Sequence, residues 1–262
     1  MSLNTPIARG FTAEIYAWKE GQVLKLFNPG VSRSTVEYEA RLTRLAHASG
    51  LPVPAVGEII ENESRYGVEY ERVEGMTMLQ AFTRKPWLAT RFARQLAELQ
   101  VKMHRISVPE LPSQHEQLEL KINQASQLTG DLRQAALRAL EQLPDDDKLC
   151  HGDFHPNNVV LTLRGPVIID WIDATRGLPL ADVARSTLLF GGRLPKGVPL
   201  PVRIMRGWFY RVYLRNYFRL NPLEKQELQV WIGVCAAARL AENTRYDETR
   251  LLAMVRTLVQ GG

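Results

Sequence analysis

Apolar residues in the first seventy positions occur in short alternating or clustered runs, a pattern that is typical of β-strands. Such runs occupy residues 14–18, 22–27, 56–60 and 66–71, with polar turns joining them in pairs. Between the two pairs, residues 34–49 carry apolar side chains at helical spacing, and Gly50 before Pro52 predicts where that helix ends. The first part of the chain is therefore predicted to be a small sheet with one helix.

After Gly75 the apolar spacing becomes mostly helical. Helices are predicted at residues 87–106, 115–128, 131–143, 180–190, 202–220, 222–242 and 247–259. Residues 158–163 and 166–170 instead have the pattern of two strands, with a two-residue turn at Arg164-Gly165. The whole pattern predicts a two-lobed α+β fold. A small N-terminal antiparallel sheet with one helix would occupy residues 1–73, and a larger, mostly helical lobe residues 74–262.

The composition narrows the class of protein without identifying it. A hydrophobic fraction of 45% and a charged fraction of 23% are ordinary for a globular domain. The net charge of +5 is modest for 262 residues, so we expect no nucleic-acid partner. Cys150 and Cys235 are the only cysteines, which favours reduced thiols. No stretch approaches the roughly 18 apolar residues of a membrane span, so the expected location is the cytoplasm, with no membrane partner.

The most specific segment is residues 151–158, His-Gly-Asp-Phe-His-Pro-Asn-Asn, followed twelve residues later by Asp170. Phosphoryl transfer from a nucleotide needs a carboxylate at the acceptor hydroxyl, here Asp153. It also needs oxygen ligands for Mg²⁺, here Asn158 and Asp170. A hairpin between the last two would fold Asp170 back toward Asn158. Each residue alone is explained equally well as turn or cap chemistry, but their joint spacing favours a catalytic set.

These residues, with Ile169-Asp170-Trp171 and Leu180-Ala181-Asp182, resemble the aminoglycoside phosphotransferase and choline kinase group of small-molecule kinases. That group is distantly related to the protein kinases, whose catalytic loop reads H-R-D-x-x-x-x-N and whose metal aspartate belongs to D-F-G. Here Gly152 stands in place of the arginine and Trp171 follows the metal aspartate, which favours the small-molecule branch. The resemblance extends from about Ile7 to about Phe190 and implies a protein-kinase-like fold.

The resemblance also implies a role for individual positions. It makes Asp153 the catalytic base and assigns Mg²⁺ to Asn158 and Asp170. It assigns the nucleotide, ATP with GTP not excluded, to Lys25, Glu39, Thr12, Ala13, Glu71 and Val73. Lys25 would contact the α/β-phosphates and Glu39 would pair with it, whereas each alone is explained as a solvated surface residue. Thr12 and Ala13 would cover the phosphates, although this stretch has only one glycine. Glu71 and Val73 would offer backbone groups to the adenine.

Other residues are expected to act as supports. His151 and Asp182 are expected to brace the catalytic loop by hydrogen bonds. Asp173 would lie near the metal ligands or cap the residues that follow it. Trp171 and Trp208 are candidates for stacking on an acceptor ring.

The segment after Phe190 carries twelve Lys and Arg against five Asp and Glu. Arg211, Arg215 and Arg219 recur every four residues, which is explained most simply as a solvated helical face with its aromatic residues turned inward. A pocket for a neutral or anionic acceptor is the alternative, because cationic aminoglycosides would be better matched by an acidic cleft.

The sequence therefore predicts an ATP-dependent, Mg²⁺-requiring kinase that phosphorylates a hydroxyl of a small molecule. We expect it to be a monomer or a homodimer. Two alternatives remain open. One is a non-catalytic nucleotide-binding protein with a kinase-like fold. The other is a protein kinase, which the lack of Ala-Pro-Glu after Asp170 disfavours.

Overall fold

The computed structural model describes residues 5–10, 12–192, 197–222, 227–242 and 247–260. The chain separates into two compact units. The first unit comprises Met1–Met78 and Asn157–Ile172, and the second comprises Leu79–Pro156 and Asp173–Gly262. A short segment from the middle of the chain thus packs with the N-terminal residues. The domain boundary after Val73 stays a prediction.

The first unit is built on an antiparallel sheet of five strands in the order β1-β2-β3-β5-β4. These strands are β1 (Ala8–Arg9), β2 (Ala13–Ala17), β3 (Gln22–Phe27), β4 (Val56–Asn62) and β5 (Arg65–Glu71). Four of the five match the predicted strands within two residues, and β1 was not predicted. The strand β3 is central, because it pairs with β2 on one side and with β5 on the other.

One helix, α1 (Arg33–Ala48), covers a face of this sheet. It begins where the Ser32 hydroxyl accepts a hydrogen bond from the Thr35 N–H at 3.2 Å, a standard N-cap. Its buried face includes Val36 and Ala40, which form one core cluster with Phe27 and Val68 of the sheet. Helical spacing in the sequence predicted this face correctly.

A second, three-stranded sheet of the first unit carries the predicted hairpin. It consists of β6 (Met76–Thr77), β8 (Val159–Thr162) and β9 (Gly165–Ile168) in the order β6-β8-β9. Thr162 pairs with Gly165, so the two turn residues are Leu163 and Arg164. The prediction of a turn at Arg164-Gly165 was therefore wrong by one residue. Gly165 belongs to the strand and has a positive φ of 121°.

The described part of the second unit is mostly helical. Its helices are α2 (Met78–Arg84), which starts at the last residue of the first unit, α3 (Ala89–Met103), α4 (Gln114–Gln124), α5 (Gly130–Gln142), α6 (Pro179–Gly191), α7 (Leu200–Leu220), α8 (Leu228–Arg239) and α9 (Glu248–Gln260). Helix α3 packs against α7, and α8 packs against both α6 and α9. A two-stranded sheet pairs β7 (Lys148–Cys150) with β10 (Thr175–Gly177).

The helix predictions were correct in position but too long at several ends. The helix predicted for residues 222–242 begins at Leu228, and residues 223–226 lie outside the described residues. The strands β6, β7 and β10 and the helix α2 were not predicted. Each of these three strands has only two or three residues, which is too short for a periodic pattern to show. Among the described residues, no helix is long and apolar enough to cross a membrane.

Leu24 tests the core of the sheet beside the candidate site. It is fully buried in a cluster with Tyr16 and Leu26, whereas Leu163 at the hairpin turn is fully exposed. We expect Leu24→Ala to lower the free energy of unfolding by about 2–5 kcal/mol. The same change at Leu163 should alter it by less than about 0.5 kcal/mol. Denaturant unfolding of the two variants measures the difference, and equal effects would contradict the assigned core.

Candidate active site

In the first unit, the Lys25 ammonium lies between two carboxylates from distant parts of the chain. Its Nζ is 2.6 Å from Glu39 Oε1 on α1 and 3.2 Å from Asp170 Oδ1 after β9. The Lys25 and Glu39 side chains are only 15% and 4% exposed, whereas Asp170 is 43% exposed. The Tyr70 hydroxyl donates a second hydrogen bond to Glu39 Oε1 at 3.2 Å. The structure therefore brings together three of the predicted site residues.

The electrostatics of this group keep the lysine charged. Burial by itself lowers the pKa of Lys25, but the charges of Glu39 and Asp170 and their hydrogen bonds outweigh it, so the pKa lies above its ordinary value. An unpaired buried ammonium would instead lose its proton or destabilise the fold. Glu39 is held on the inner face of α1, so the solvated-surface explanation of both residues is wrong.

Asp170 has an unusual backbone. Its φ is 67°, in the left-handed region that residues other than glycine seldom adopt. Strain of this kind persists where surrounding contacts impose it, and it concentrates at functional sites. Here the Ile169 N–H donates to the Asn158 carbonyl at 3.0 Å, next to the Val159–Ile168 pair of the hairpin. This ladder places the backbone of Asn158 beside that of the residue preceding Asp170.

Trp171 follows Asp170 and is fully buried. Its indole N–H donates to the Ile168 carbonyl at 3.1 Å. The hypothesis that Trp171 stacks on an acceptor ring is therefore wrong, because no face of the ring is accessible. The tryptophan instead fixes the turn that carries Asp170.

The pair Asn158 and Asp170 has the chemistry that a magnesium site requires. Both supply the hard oxygen donors that Mg²⁺ prefers, and a site with two protein ligands and several waters is common. Asp170 is also partly open to solvent. Within the described ranges, no group of three or more His, Cys, Asp or Glu side chains is placed to hold a metal. The residues present therefore fit Mg²⁺ held by one amide and one carboxylate.

The remaining nucleotide candidates lie at or next to the ends of two inner strands of the five-stranded sheet, β2 and β5. Thr12 is exposed and its carbonyl accepts from the Asn28 N–H at 2.9 Å, while Ala13 is buried at the start of β2. Glu71 and Val73 line a cavity of about 600 Å³ together with the β8–β9 hairpin. Lys25 and Asp170 are not among the residues that line it.

In the second unit, the loop that carries Asp153 is shaped by Gly152. Gly152 has a φ of 77°, and a Cβ at this position would overlap the backbone carbonyl of Asp173. No other residue fits without movement of one of the two loops. This explains in physical terms why this position requires glycine.

A buried network holds the amide of the same glycine. Asp182 of α6 is fully buried and accepts from the Gly152 N–H at 2.7 Å, from Gln100 at 2.9 Å and from His104 at 3.0 Å. His104 in turn hydrogen-bonds the Tyr217 hydroxyl at 2.6 Å. The prediction that Asp182 braces the catalytic loop is confirmed. His151 is also fully buried, and its ring nitrogen Nδ1 accepts from the Asp153 N–H at 3.2 Å.

The sequence did not reveal a second anchor of this loop. Arg185 donates through Nε to the Gly152 carbonyl at 2.9 Å and contacts both oxygens of Glu242 at 2.8 and 2.9 Å. Arg185 lies three residues after Asp182, a spacing that places both on one face of a helix. That spacing is the one feature of the sequence from which a second anchor could have been inferred. Nothing in the sequence pointed to Glu242, which lies 57 residues after Arg185.

Asp153 itself is held as a carboxylate. Burial by itself raises its pKa, but His155, whose Nε2 lies 3.3 Å from Asp153 Oδ2, and the charge of Arg185 outweigh it. The pKa of Asp153 therefore lies well below its ordinary value. Asp173 forms an ion pair with Lys121 at 2.9 Å, so a role of Asp173 near the metal stays a prediction.

The two units thus combine a small sheet that buries a lysine–glutamate pair with a mostly helical unit whose loop carries a braced aspartate. This is an α+β, protein-kinase-like fold. The chain belongs to the Phosphotransferase enzyme family (APH), whose sequence profile matches residues 4–223. No curated protein sequence matches the chain significantly.

Several solved structures share this fold. A thermostable mutant of the aminoglycoside phosphotransferase APH(4)-Ia in its apo form superposes with a TM-score of 0.67, at 18% identity over 100% of this chain and 95% of the other. An aminoglycoside-3'-phosphotransferase of type VIII gives 0.61, at 19% identity over 90% and 92%. A choline/ethanolamine kinase family protein from Mesorhizobium loti gives 0.59, at 16% identity over 98% and 88%.

Asp182 generates a prediction about pH. Burial by itself raises the pKa of Asp182. The hydrogen bonds from His104, Gln100 and the Gly152 N–H lower it by a larger amount, so the pKa in the folded protein lies below its ordinary value. Its stabilising contribution is therefore present above the unfolded pKa of about 3.9 and is lost as the pH falls through the folded pKa. We expect Asp182→Asn to cost about 1.5–3 kcal/mol at neutral pH.

Denaturant unfolding between pH 7 and pH 3 measures this difference. The gap between wild type and Asp182→Asn should narrow as the pH falls below about 4. The exposed Asp145 serves as the control, and Asp145→Asn should stay within about 0.5 kcal/mol of wild type throughout. A gap that does not change with pH would contradict the assigned ionised state of Asp182.

Proposed function

We propose that this protein transfers the γ-phosphoryl group of ATP to a hydroxyl of a small molecule, with Mg²⁺ as the required cation. The observation that supports it most is the position of Lys25 between Glu39 and Asp170. Lys25 was assigned through the family resemblance that the catalytic-loop motif carries, and its contact with Asp170 joins it to a proposed Mg²⁺ ligand.

The family's solved structures support the nucleotide and the class of acceptor. One mutant of APH(4)-Ia was crystallised as a ternary complex with AMP-PNP and hygromycin B, and APH(2'')-Ib was crystallised with ADP. By likeness of fold, we propose the same kind of reactants here, an adenine nucleotide and a small organic alcohol. GTP remains an alternative that a nucleotide comparison would test.

Each residue in the proposal has a defined task. Lys25 would bind the α/β-phosphates, and Glu39 would hold the ammonium in place. Asn158 and Asp170 would hold Mg²⁺, which when bound neutralises charge on the phosphates. Four residues would position the rest of the nucleotide. Thr12 and the backbone at Ala13 would contact phosphate, and the backbone groups of Glu71 and Val73 would meet the adenine.

Asp153 would act at the acceptor. As a carboxylate of low pKa, it can accept a hydrogen bond from the acceptor hydroxyl and orient its oxygen toward the γ-phosphorus. The bond from that oxygen to phosphorus forms as the bond to the β,γ-bridging oxygen breaks, and the hydroxyl proton passes to Asp153. ADP leaves, and no covalent intermediate with the protein is needed. Positioning and charge supply most of the rate.

The proposal also includes the remaining expectations for the protein as a whole. It would act in the cytoplasm as a monomer or homodimer, without a nucleic-acid or membrane partner. The rival is a nucleotide-binding protein without activity. One measurement separates the proposed kinase from a nucleotide-binding protein without activity, because only the kinase releases ADP in the presence of an acceptor.

Asp153→Ala should abolish acceptor-dependent ADP release and leave nucleotide affinity within about threefold, because the carboxylate is proposed to act on the acceptor. A coupled assay with ATP and Mg²⁺ measures turnover across amino alcohols, sugars, nucleosides, aminoglycosides and macrolides. Asp131→Ala, which removes an exposed aspartate in the first turn of α5, is the matched control and should retain wild-type turnover. Undiminished turnover in Asp153→Ala would refute the assigned role.

Lys25→Met should lower kcat/KM for ATP by about 10²–10³, the usual loss when one charge-stabilising donor is removed. Lys102→Met, at an exposed lysine on α3, is the control and should behave as wild type. Initial-rate kinetics with varied ATP measure both variants. Equal kinetics for the two would contradict a role for Lys25 at the phosphates.

A further inference from the structure

One carboxylate after α8 is in contact with three cations of the second unit. Glu242 lies in the short turn Leu240–Glu242 that follows α8. The Arg185 guanidinium of α6 lies 2.8 and 2.9 Å from its two oxygens. Lys121 Nζ of α4 lies 3.4 Å from Oε1, and Arg239 Nη1 of α8 lies 3.6 Å from Oε2. Three helices that are far apart along the chain therefore meet at one side chain.

The cations need this carboxylate because they repel one another. The pKa of Arg239 is lowered, first by burial and then by the charge of Arg185, while Glu242 acts in the opposite direction. Burial by itself lowers the pKa of Arg185 as well. Glu242, more than Asp173 or Asp153, outweighs that burial and raises the pKa of Arg185 above its ordinary value. Removing one partner from such a buried pair leaves a charge without compensation, and the groups around it must move.

Arg185 connects Glu242 to the catalytic loop. The guanidinium that contacts Glu242 through Nη2 also donates through Nε to the Gly152 carbonyl at 2.9 Å. The charge of Arg185 acts on the next residue too. Burial raises the pKa of Asp153, and His155 and then Arg185 lower it to well below its ordinary value. A planar guanidinium has little freedom once two of its nitrogens are held, so Glu242 fixes the donor that holds the loop.

Lys121 makes a second connection between Glu242 and the same loop. Its ammonium lies 2.9 Å from Asp173 Oδ1 as well as 3.4 Å from Glu242 Oε1. The backbone carbonyl of Asp173 lies so close to Gly152 that a Cβ on Gly152 would overlap it. These contacts close a ring that runs through five residues: Gly152, Arg185, Glu242, Lys121 and Asp173.

The ring extends beyond the part of the chain that the family profile matches. That profile covers residues 4–223, which include the catalytic loop and Arg185. The turn that carries Glu242 comes after residue 223. A residue that the family motif does not specify is thus in direct contact with an anchor of the catalytic loop.

We propose that Glu242 is a positioning residue for Asp153. It holds Arg185, with Lys121 as a second connection, and so fixes the loop in the conformation from which Asp153 reaches the acceptor hydroxyl. The inference rests on the proposed phosphoryl transfer, in which Asp153 orients that hydroxyl. In this role Glu242 acts through other residues and contacts neither substrate. Its loss should lower kcat and spare the KM for ATP, because the residues proposed to bind the nucleotide belong to the first unit.

Glu242→Gln removes the charge and keeps the shape of the side chain. We expect it to lower kcat for ADP release at least about tenfold, because a small displacement of a catalytic group is costly. The KM for ATP should stay within about twofold of wild type. Asp247→Asn is the matched control, because Asp247 pairs with Arg250 at 2.8 Å in the same unit and is less exposed than Glu242. It should keep kcat within about twofold of wild type, and equal kcat in the two variants would overturn the inference.

Arg185→Lys tests whether Glu242 acts through Arg185. A lysine keeps the charge but lacks the rigid fork that contacts Gly152 and Glu242 together, so this variant alone should lower kcat. Adding Glu242→Gln to it should then change kcat by less than about threefold more, and independent, multiplied losses would overturn the connection. If Glu242→Gln does not fold, Glu242→Asp takes its place. It keeps the charge on a shorter side chain and should lower kcat about threefold or more, and unchanged kcat would again overturn the inference.

Hydrogen exchange tests the loop without requiring turnover. The amides of Gly152 and Asp153 both donate to side chains, so their exchange rates report how well the loop is ordered. Peptides that cover residues 151–155 should exchange at least about fivefold faster in Glu242→Gln than in Asp247→Asn. Equal exchange in the two variants would overturn the positioning role. Absence of ADP release by wild type with every acceptor would instead count against the phosphoryl transfer itself, and the exchange rates would still decide whether Glu242 orders the loop.

Discussion

The need to neutralise a buried ammonium governs the architecture of the first unit. Lys25 is placed by the central strand β3, with little access to water, so its charge must be met by carboxylates from neighbouring elements. Glu39 can reach it only if α1 packs its inner face on the sheet. Asp170 can reach it only if the β8–β9 hairpin closes and the chain turns through a strained backbone. One charge requirement thus ties together the sheet, the helix and the hairpin.

In the second unit, buried hydrogen bonds hold the loop that carries Asp153 in one conformation. Gly152 is fixed at its N–H by Asp182 and at its carbonyl by Arg185, and both residues lie on the same face of α6. Each anchor is itself satisfied by further partners, Gln100 and His104 in one case and Glu242 in the other. A buried polar network of this kind is rigid only if all its members are paired. The helix α6 therefore serves as the support for Asp153.

The N-terminal half of α6 carries both anchors of the loop, Asp182 and Arg185. Relatives with this fold include proteins that were crystallised with aminoglycosides, such as hygromycin B. Fold and reaction class can be shared while the acceptor differs, because an acceptor is recognised by particular side chains and not by the fold itself.

The predicted solvated arginine face of α7 illustrates both the strength and the limit of sequence reasoning. Arg211, Arg215 and Arg219 are exposed, as the four-residue spacing predicted, and Tyr213 and Tyr217 are buried. Trp208 is half exposed, and its indole N–H donates to Thr90 at 3.1 Å, so its contact with an acceptor stays a prediction. The arginine that anchors the catalytic loop is another, Arg185, and its partner Glu242 follows a different helix. Spacing along one helix cannot reveal such a partner.

The sequence by itself determined the α+β class, most of the strands and helices, and the motif residues, because periodicity and turn chemistry are local properties of the chain. The pairing of Lys25 with Glu39 followed only from a family resemblance, and the roles of Arg185 and Glu242 did not follow at all. The hypothesis that Trp171 stacks on an acceptor ring was wrong because the sequence does not show that this side chain is fully buried. Whether a side chain is buried, and which charge lies beside it, depends on segments that are distant along the chain, as for Arg185 and Glu242, which are 57 residues apart, and for Lys25 and Asp170, which are 145 apart. Only the tertiary structure decides those contacts, because electrostatic and packing energies depend on distance in space and not on separation along the chain.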